Sequence, residues 1–448
     1  MNKAVFSTLA ILGVALAEAI VSAPAEAAGE QFVPIPIYRV GPYAAGGTGI
    51  FGGMMDYMEM LNKRDGGING VKLVWEECET EYKNDRGVEC YERLKNKGPT
   101  GAAAFNMLST GITYAIIERA TADKIPVISM GYGRTDASDG SVFPYVFPLV
   151  TNYWSQNTAK IKFIGQREGG MDRLKGKKIA NLYHGSAYGK ETIPILDLQA
   201  QKYGFEVKHI EVAPPGNEQQ SQWLQIRQYK PDWVILRGWG VMNPASLKAA
   251  QKVGFPADKI VGVWWSGAEE DVIPAGDAAE GYIAAGFHPS GTDFPVLKDI
   301  QKHVYDDGKG NMDDPKRLGT AYYNRGVIQG ILTTESIRTA QEKFGKKPLT
   351  GEQVRWGIEN LKLDDTRIKR LGAVNLLQPM TISCKDHEGG GAVKFQQWDG
   401  KKWVVISDWI AADREMVRPL VEASAAKYAQ EKSITPRDCT KEQTATAQ

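Results

Sequence analysis

The chain contains little cysteine, little histidine and almost no net charge. Its 448 residues include 4 cysteines and 5 histidines, and the formal net charge is +1. This balance provides neither a basic surface for nucleic acid nor a polybasic patch for a membrane, so we expect no nucleic-acid partner. After the N-terminal segment, no apolar run approaches the roughly 18 residues that suggest a membrane span. The mature chain is therefore expected to be soluble.

The histidines and serines also lack the spacing of a metal or catalytic site. No H-E-x-x-H motif and no C-x₂-C pair is present. Ser186 follows Gly185 directly, so this segment is not the G-x-S-x-G turn of a hydrolase. The sequence therefore predicts neither an enzyme nor a bound metal or cofactor. An exported hydrolase that uses Ser186 is kept as a third hypothesis.

The first 27 residues have the layout of a secretory signal peptide. Lys3 supplies a positive start, residues 4–20 form an apolar stretch, and A-E-A at residues 25–27 fits a cleavage site. We expect export to the periplasm, with Ala28 as the first mature residue. A retained anchor or a cytosolic helix is the alternative, because Glu18 interrupts the apolar stretch. ATP and NAD(P)H are not generally available outside the inner membrane, so export favours binding or hydrolysis over cofactor chemistry.

An even number of cysteines in an exported chain predicts disulfides. Proximity in the sequence favours the pairs Cys78–Cys90 and Cys384–Cys439, although the sequence leaves the connectivity open. Free thiols are the alternative, since no cysteine or histidine cluster has the spacing of a zinc site.

Apolar runs alternate with amphipathic stretches, which indicates parallel sheets covered by helices. The first predicted set of strands lies at residues 32–40, 71–76, 102–107 and 126–129. The pattern then restarts, with strands at residues 178–183, 206–211, 233–236 and 260–265. Asp399-Gly400 between two apolar runs predicts a hairpin. The predicted fold class is α/β, with two Rossmann-like lobes that each contain a parallel central sheet.

A glycine-rich segment at residues 46–53 contains G-x-G-x-x-G at Gly47, Gly49 and Gly52. A dinucleotide site would need this motif directly after a strand, but residues 41–45 intervene. The segment is instead predicted to be a loop that comes close to a ligand, or a flexible turn, followed by a helix from about residue 50.

Several polar and aromatic segments directly follow predicted strands, where open α/β sheets bind ligands. Ser109 and Thr110 open a helix, so they are N-cap residues, carboxylate contacts, or both. The other segments lie at residues 129–135, 184–189, 237–240 and 264–269. Each aromatic side chain among them either packs in the core or lines a concave ligand site.

A further set of short motifs carries a family resemblance. They are Gly41-Pro42 with the glycine-rich segment, N-x-x-x-G-G-I-N-G at residues 62–70, residues 125–129, Ala187-Tyr188-Gly189, residues 252–255 and Ala321-Tyr322. With these motifs, residues 32–410 resemble the type I periplasmic solute-binding proteins of the branched-chain amino acid (leucine/isoleucine/valine-binding) family of ABC transporters. The resemblance implies two lobes joined by a three-crossing hinge, with crossings near residues 149–152, 285–289 and 374–383. The lobes would close over a ligand by hinge bending.

The resemblance also implies a domain division and a function. The expected parts are a signal peptide (1–27), an N-terminal lobe (28–149 and 287–374), a C-terminal lobe (150–286 and 375–424) and a C-terminal tail (425–448). The protein would be a monomer that captures a small-molecule ligand, an amino acid or related carboxylate, and delivers it to an inner-membrane ABC permease. The alternative is an exported sensor module of the same fold.

Carried over by motif, the resemblance implies a set of ligand-binding residues. They are Ser109 and Thr110 for the ligand carboxylate, Gly131, Tyr132 and Gly133 beside it, Tyr188 from the second lobe, Trp239 and Trp265 as cleft aromatics, and Glu269 for a ligand ammonium. Arg134, Arg237, Trp239 and the pair Trp264-Trp265 are bulkier or more charged than a leucine pocket requires. The solute is therefore left open between an aliphatic amino acid, an aromatic carboxylate, an amide and another polar compound.

Overall fold

The computed structural model describes residues 29–308 and 310–440. The predicted signal peptide at residues 1–27 lies outside this part of the chain. The strands are β1 (Glu30–Ile37), β2 (Lys72–Glu79), β3 (Val127–Ile128), β4 (Val146–Phe147), β5 (Lys178–His184), β6 (Glu206–Val212), β7 (Trp233–Arg237), β8 (Ile260–Gly262), β9 (Ile283–Gly286), β10 (Lys362–Leu363), β11 (Met380–Thr381), β12 (Lys394–Trp398) and β13 (Trp403–Val405).

Helices follow most of these strands, as the alternating pattern predicts. They are α1 (Ala44–Asp65), α2 (Asn84–Leu94), α3 (Thr110–Asp123), α4 (Tyr153–Glu168), α5 (Ala187–Lys190), α6 (Ile193–Tyr203), α7 (Gln220–Tyr229), α8 (Met242–Lys252), α9 (Glu269–Val272), α10 (Pro295–Ile300), α11 (Ala321–Phe344), α12 (Gly351–Glu359), α13 (Asp365–Arg370) and α14 (Arg414–Glu431). None of the described helices is long and apolar enough to cross a membrane.

The first layer of strands is parallel. β1 pairs with β2 along its full length, and β3 pairs with β4. Residues 102–107 form an extended segment with only an isolated bridge at Phe105, rather than the predicted strand. The N–H of Ala103 donates to the carbonyl of Phe32 at 3.0 Å, and the N–H of Ile128 donates to the carbonyl of Phe105 at 2.9 Å. The segment therefore connects β1 to β3 within one layer.

The second layer is a seven-stranded sheet in the order β13-β12-β9-β8-β7-β5-β6. The strands from β5 to β9 are parallel, whereas β12 is antiparallel to β9. The predicted hairpin at Asp399-Gly400 is confirmed, because β12 and β13 are antiparallel and Trp398 pairs with Trp403. The structure thus contains two separate α/β layers, as the alternation of apolar and amphipathic stretches predicts.

The glycine-rich segment is helical, and the predicted loop there is wrong. Helix α1 begins at Ala44 rather than near residue 50, so residues 46–53 form its first turns. A Cβ atom on Gly53 would lie 2.2 Å from the carbonyl oxygen of Tyr323, and one on Gly326 would lie 1.9 Å from the carbonyl of Ile50. These glycines let α1 and α11 pack backbone against backbone, which outweighs the weak helix propensity of glycine.

Helix α14 runs across both layers and extends through residues 425–431 of the predicted C-terminal tail. Its first half packs Val417 and Val421 near Trp154 of the second layer. Its second half stacks Tyr428 on Phe143 of the first layer, with ring centroids 4.7 Å apart. The few apolar residues of this helix are separated by polar ones, so the sequence predicts a polar tail where the structure has the end of α14.

Two disulfides join the pairs that proximity favours. Cys78 of β2 bonds to Cys90 of α2, and Cys384 bonds to Cys439 beyond α14, with Cα–Cα distances of 5.7 and 5.6 Å. Among the described residues no cysteine is free. The second disulfide therefore attaches the C-terminal segment to the body of the protein.

The two disulfides should contribute differently to stability because they close loops of different length. The sequence separations are 55 for Cys384–Cys439 and 12 for Cys78–Cys90. Loop-closure entropy predicts that replacing both cysteines by serine costs about 4 kcal/mol for the long loop and about 3 kcal/mol for the short one. Urea unfolding followed by tryptophan fluorescence measures both values, and the short-loop variant is the matched control. A larger loss in the short-loop variant would contradict this expectation.

Candidate functional site

The carboxyl ends of the two layers meet at a set of aromatic side chains, here named the aromatic cluster. Its members are Tyr38, Tyr43, Tyr82 and Tyr132 after strands of the first layer, Tyr188, Trp239, Trp264 and Trp265 after strands of the second, and Tyr153 and Tyr322 at helix starts. Except for Tyr82, which is partly buried, all of them are buried. Rings from both layers therefore form one continuous contact.

Trp239 occupies the centre of this cluster and is only 1% exposed. Its ring is stacked with that of Tyr43, with centroids 6.1 Å apart and planes 7° apart, and it meets the ring of Trp265 edge-on at 5.4 Å. A Cβ atom on Gly46 would lie 2.4 Å from the Trp239 ring. The indole Nε1 has no hydrogen-bond partner among the described residues. Trp239 therefore belongs to the second layer and contacts Tyr43 and Gly46 of the first. Its indole N–H remains a buried hydrogen-bond donor without a partner among the described residues.

The carbonyl oxygen of Gly131 accepts two indole hydrogen bonds. Trp264 Nε1 donates to it at 2.8 Å and Trp265 Nε1 at 2.6 Å. The next residue, Tyr132, packs on Trp265 with ring centroids 4.1 Å apart. Gly131 has a φ of 69°, a region where a side chain is disfavoured. This short segment thus joins the two layers. It also brings together Gly131, Tyr132 and Trp265, which the family motifs place in one set of candidate ligand-binding residues.

Ser109 and Thr110 lie at the start of α3, and their hydroxyl groups make internal contacts. Ser109 caps the helix by accepting a hydrogen bond from the N–H of Ile112 at 3.4 Å. Thr110 Oγ1 accepts one from the N–H of Gly133 at 3.1 Å. The N-cap interpretation of Ser109 is therefore confirmed. The Ser109 hydroxyl also interacts with the Tyr82 hydroxyl, and the Thr110 hydroxyl with that of Tyr153.

Tyr188 and Arg237 form the second-layer side of the cluster. The Tyr188 hydroxyl donates to the carbonyl of Gly238 at 2.8 Å, while Arg237 Nε and Nη2 donate to the carbonyl of Tyr188 at 3.1 and 2.9 Å. The Arg237 guanidinium also lies 4.0 Å from the centroid of the Tyr153 ring. Its Nη1 is buried without a partner among the described residues. Arg237 is therefore a charged group of the site that motif comparison did not select.

Glu269 is partly exposed. It stabilises the first turn of α11, because its Oε2 accepts a hydrogen bond from the N–H of Ala321 at 2.8 Å. The buried carboxylate next to the rings is Asp271, which accepts from the Tyr322 hydroxyl and from Asn243 Nδ2, both at 2.8 Å. Burial raises the pKa of Glu269, and it raises the pKa of Asp271 to about 7. Three consecutive acidic residues, Glu269, Glu270 and Asp271, do not indicate by sequence that the third is the buried one.

A second guanidinium, Arg325 of α11, is buried on the other side of the cluster. Arg325 Nη1 donates to the carbonyl of Trp264 at 2.7 Å, and Nε donates to His288 Nε2 at 3.0 Å. Its guanidinium lies 4.6 Å from the centroid of the Trp265 ring. Burial lowers the pKa of Arg325 and, more strongly, lowers that of His288 to about 3. Among the described residues, neither Arg237 nor Arg325 forms a salt bridge with a carboxylate.

His184 makes a contact between the layers. Its Nε2 lies 2.9 Å from the Tyr43 hydroxyl, and its Nδ1 lies 2.8 Å from Ser186 Oγ. Burial lowers the pKa of His184 to about 4. Ser186 caps α5, since its Oγ accepts from the N–H of Gly189.

The described residues contain no group of three or more histidine, cysteine, aspartate or glutamate side chains that could hold a metal ion. The chemistry of the site is that of aromatic rings, buried guanidinium groups and unused hydrogen-bond donors. Side chains of these types are suited to contact the apolar body and an acceptor group of a small molecule.

Solved structures share this architecture. A protein described as an ABC transporter permease from the Pseudomonas fluorescens group is 52% identical, with a TM-score of 0.86 over 92% of this chain and 99% of that chain. A branched-chain amino acid ABC transporter protein from Thermus thermophilus with bound valine is 19% identical, with a TM-score of 0.74 over 87% and 98% of the two chains.

A solute-binding protein from R. palustris in complex with benzoate is also 19% identical, with a TM-score of 0.66 over 86% of this chain and 97% of that chain. Among curated proteins, none matches the chain. The family model for periplasmic binding proteins matches residues 31–403. Two α/β layers with a shared aromatic site at their carboxyl ends agree with that match, and the chain belongs to the periplasmic binding protein family.

Proposed function

We propose that this protein is the substrate-binding component of an ABC transporter, which captures a small organic carboxylate between two lobes and delivers it to an inner-membrane permease. The observation that carries the proposal is the aromatic cluster, which lies between the carboxyl ends of the two layers and holds buried, unpaired donors. The 52% identical relative, described as part of an ABC transporter, supports the transport role. A periplasmic location accords with the family and with the predicted signal peptide.

The proposed lobes are residues 28–149 with 287–374, and residues 150–286 with 375–424. Strand pairing supports this division, because β1 to β4 pair only with each other and β5 to β9 share a sheet with β12 and β13. Helices α10 and α11 pack against α1, which supports their assignment to the first lobe. The chain then crosses between the lobes near residues 149–152, 285–289 and 374–383.

Lobe closure would be driven by contacts that only the closed form contains. In the structure these are the two indole hydrogen bonds to Gly131, the Tyr43–His184 contact and the packing of Trp239 on Gly46. A ligand that touches both lobes binds the closed form more tightly and shifts the population toward it.

Charge favours an anionic ligand. Arg237 and Arg325 are fully buried beside the rings, and the positive end of α3 lies at Ser109 and Thr110. Asp271 loses much of its charge near neutral pH, since burial raises its pKa to about 7. The ligand carboxylate is therefore proposed to meet Ser109 and Thr110, with its apolar body among Tyr132, Tyr188, Trp239 and Trp265. Gly131, Gly133 and Glu269 complete the proposed ligand-binding residues.

A ligand screen combined with small-angle scattering tests this function. Thermal shifts measured with amino acids, aromatic acids, aliphatic acids and amides should identify a selective carboxylate. Scattering with and without that compound should then show a smaller radius of gyration in the complex, because the lobes close. Tight binding with unchanged dimensions would contradict closure, and a hit confined to neutral amides would contradict the proposed charge preference.

Replacing Gly46 by valine should weaken binding without unfolding the protein. The added side chain would collide with Trp239 only when the lobes are closed, and overpacking of this kind costs about 1–3 kcal/mol. We expect a Kd roughly tenfold higher or more in Gly46→Val. Ala45→Val, at an exposed position on the same helix, is the matched control and should bind like the wild type. Equal affinity of the two variants would count against closure over Trp239.

Binding should weaken at acid pH because of His184. The closed form holds a neutral His184 with a pKa of about 4, whereas an exposed histidine titrates near 6.5. As pH falls below about 6.5 the open form takes up the proton first, so closure becomes progressively less favourable until pH approaches 4, and the loss stays constant below that value. From pH 7 to 5 we expect Kd to rise roughly tenfold or more, as measured by fluorescence titration. His184→Gln should lose most of this dependence and His209→Gln should keep it; the same pH profile in all three proteins would refute the role of His184.

A further inference from the structure

Beneath the aromatic cluster, helix α4 presents a row of buried polar side chains to the second sheet. Gln156, Asn157 and Lys160 share a helix face with Tyr153, because they follow it by three, four and seven positions. All three side chains are fully buried. Asn157 Nδ2 donates to Gln199 at 2.8 Å, but Lys160 Nζ and both polar atoms of Gln156 have no partner among the described residues. An ammonium group and an amide are thus buried without the contacts they need.

Arg237 approaches the same place from strand β7. Its guanidinium contacts the Tyr153 ring, and its Nη1 is the third buried donor without a partner. The positive charge of Arg237 adds to burial in lowering the pKa of Lys160 well below its usual value, and no carboxylate opposes this effect. Burial raises the pKa of the Glu191 carboxyl group, and the positive charge of Arg237 has a smaller effect in the opposite direction. The charged form of Lys160 is therefore costly to bury beside Arg237 without a counter-charge.

We propose that Arg237, Lys160 and the amide of Gln156 form an anion subsite beneath the aromatic cluster, which takes the second carboxylate of a dicarboxylate ligand. This assignment rests on the proposed function, in which the first carboxylate meets Ser109 and Thr110. A carboxylate offers about four lone-pair positions to the three unused donors, and charge-assisted hydrogen bonds are the strong ones. A free inorganic anion has the same chemistry, so the two sources must be separated by experiment.

Matched pairs of compounds test the anion subsite. Calorimetric titrations compare benzoate with terephthalate, phenylacetate with 4-carboxyphenylacetate, and hexanoate with adipate. In the wild type the dicarboxylate of at least one pair should bind roughly tenfold tighter than its parent, because a hydrogen bond to a charged group contributes that much. Lys160→Met should remove this gain. Lys162→Met, on the same helix with a side chain that reaches solvent and the carbonyl of Ala411, is the matched control and should keep it.

The possible results separate the subsite from the transport function. If monocarboxylates bind but the second carboxylate adds nothing, or if its gain survives in Lys160→Met, the anion subsite is wrong and the proposed function stands. If sodium nitrate alone raises the melting temperature of the wild type and not of Lys160→Met, while dicarboxylates show no gain, the occupant is a free anion and the dicarboxylate assignment is overturned. If no carboxylate binds, the proposed ligand class fails as well.

Proton uptake gives a measurement that needs no variant. Because burial and the charge of Arg237 lower the pKa of Lys160, an arriving carboxylate should raise that pKa and draw a proton from the buffer. Titrations of the wild type with the tightest dicarboxylate, in Hepes and in Tris at one pH, should therefore give heats that differ with the ionisation enthalpy of the buffer. Equal heats in both buffers would show that Lys160 is not the partner of the anion.

Discussion

One carbonyl oxygen, that of Gly131, fixes how the two layers meet. It follows a strand of the first layer and accepts hydrogen bonds from Trp264 and Trp265, which follow a strand of the second. A side chain at Gly131 would bring its Cβ to 2.9 Å from the Trp264 indole nitrogen. The absence of a side chain at this position lets both indoles reach the backbone, and the packing of Tyr132 on Trp265 follows from the same approach.

Charge is the second constraint on this region. The described part of the chain buries Lys160, Arg237 and Arg325 without salt bridges, while the buried Asp271 has a raised pKa. Aromatic rings compensate in part, since their faces attract the guanidinium groups. The remaining positive charge lies among buried apolar rings, where electrostatic interactions are stronger than in water. The proposed preference for an anion thus rests on burial and not on the net charge of the chain.

Much of the architecture could be predicted from the sequence, because alternating strands and helices leave a regular apolar pattern. The hairpin at residues 399–400 followed from turn chemistry alone. The loop predicted for the glycine-rich segment is wrong. The low helix propensity of glycine is visible in a sequence, whereas the backbone contact of Gly53 with α11, which favours the helix, is not. Similarly, the motif singled out Glu269, but three consecutive acidic residues do not reveal that Asp271 is the one buried beside the rings.

The candidate site was predictable only in outline. Residues that follow strands were expected near a ligand, and Trp239 and Trp265 do lie together. Lys160 gave no such signal, because a lysine in an amphipathic helix usually faces solvent. Its burial depends on the packing of α4 beside Arg237 of β7 and against α6, where Asn157 bonds to Gln199, and these side chains are far apart in the chain. Long-range contacts of this kind are what a single sequence does not record.

Helix α14 has a mechanical consequence. One end is packed near Trp154 and the other on Phe143, so a single helix contacts both halves of the molecule, and the covalent link from Cys384 to Cys439 secures the chain beyond it. In the proposed closure, one half cannot rotate relative to the other unless α14 keeps both contacts by moving with them or releases one of the two.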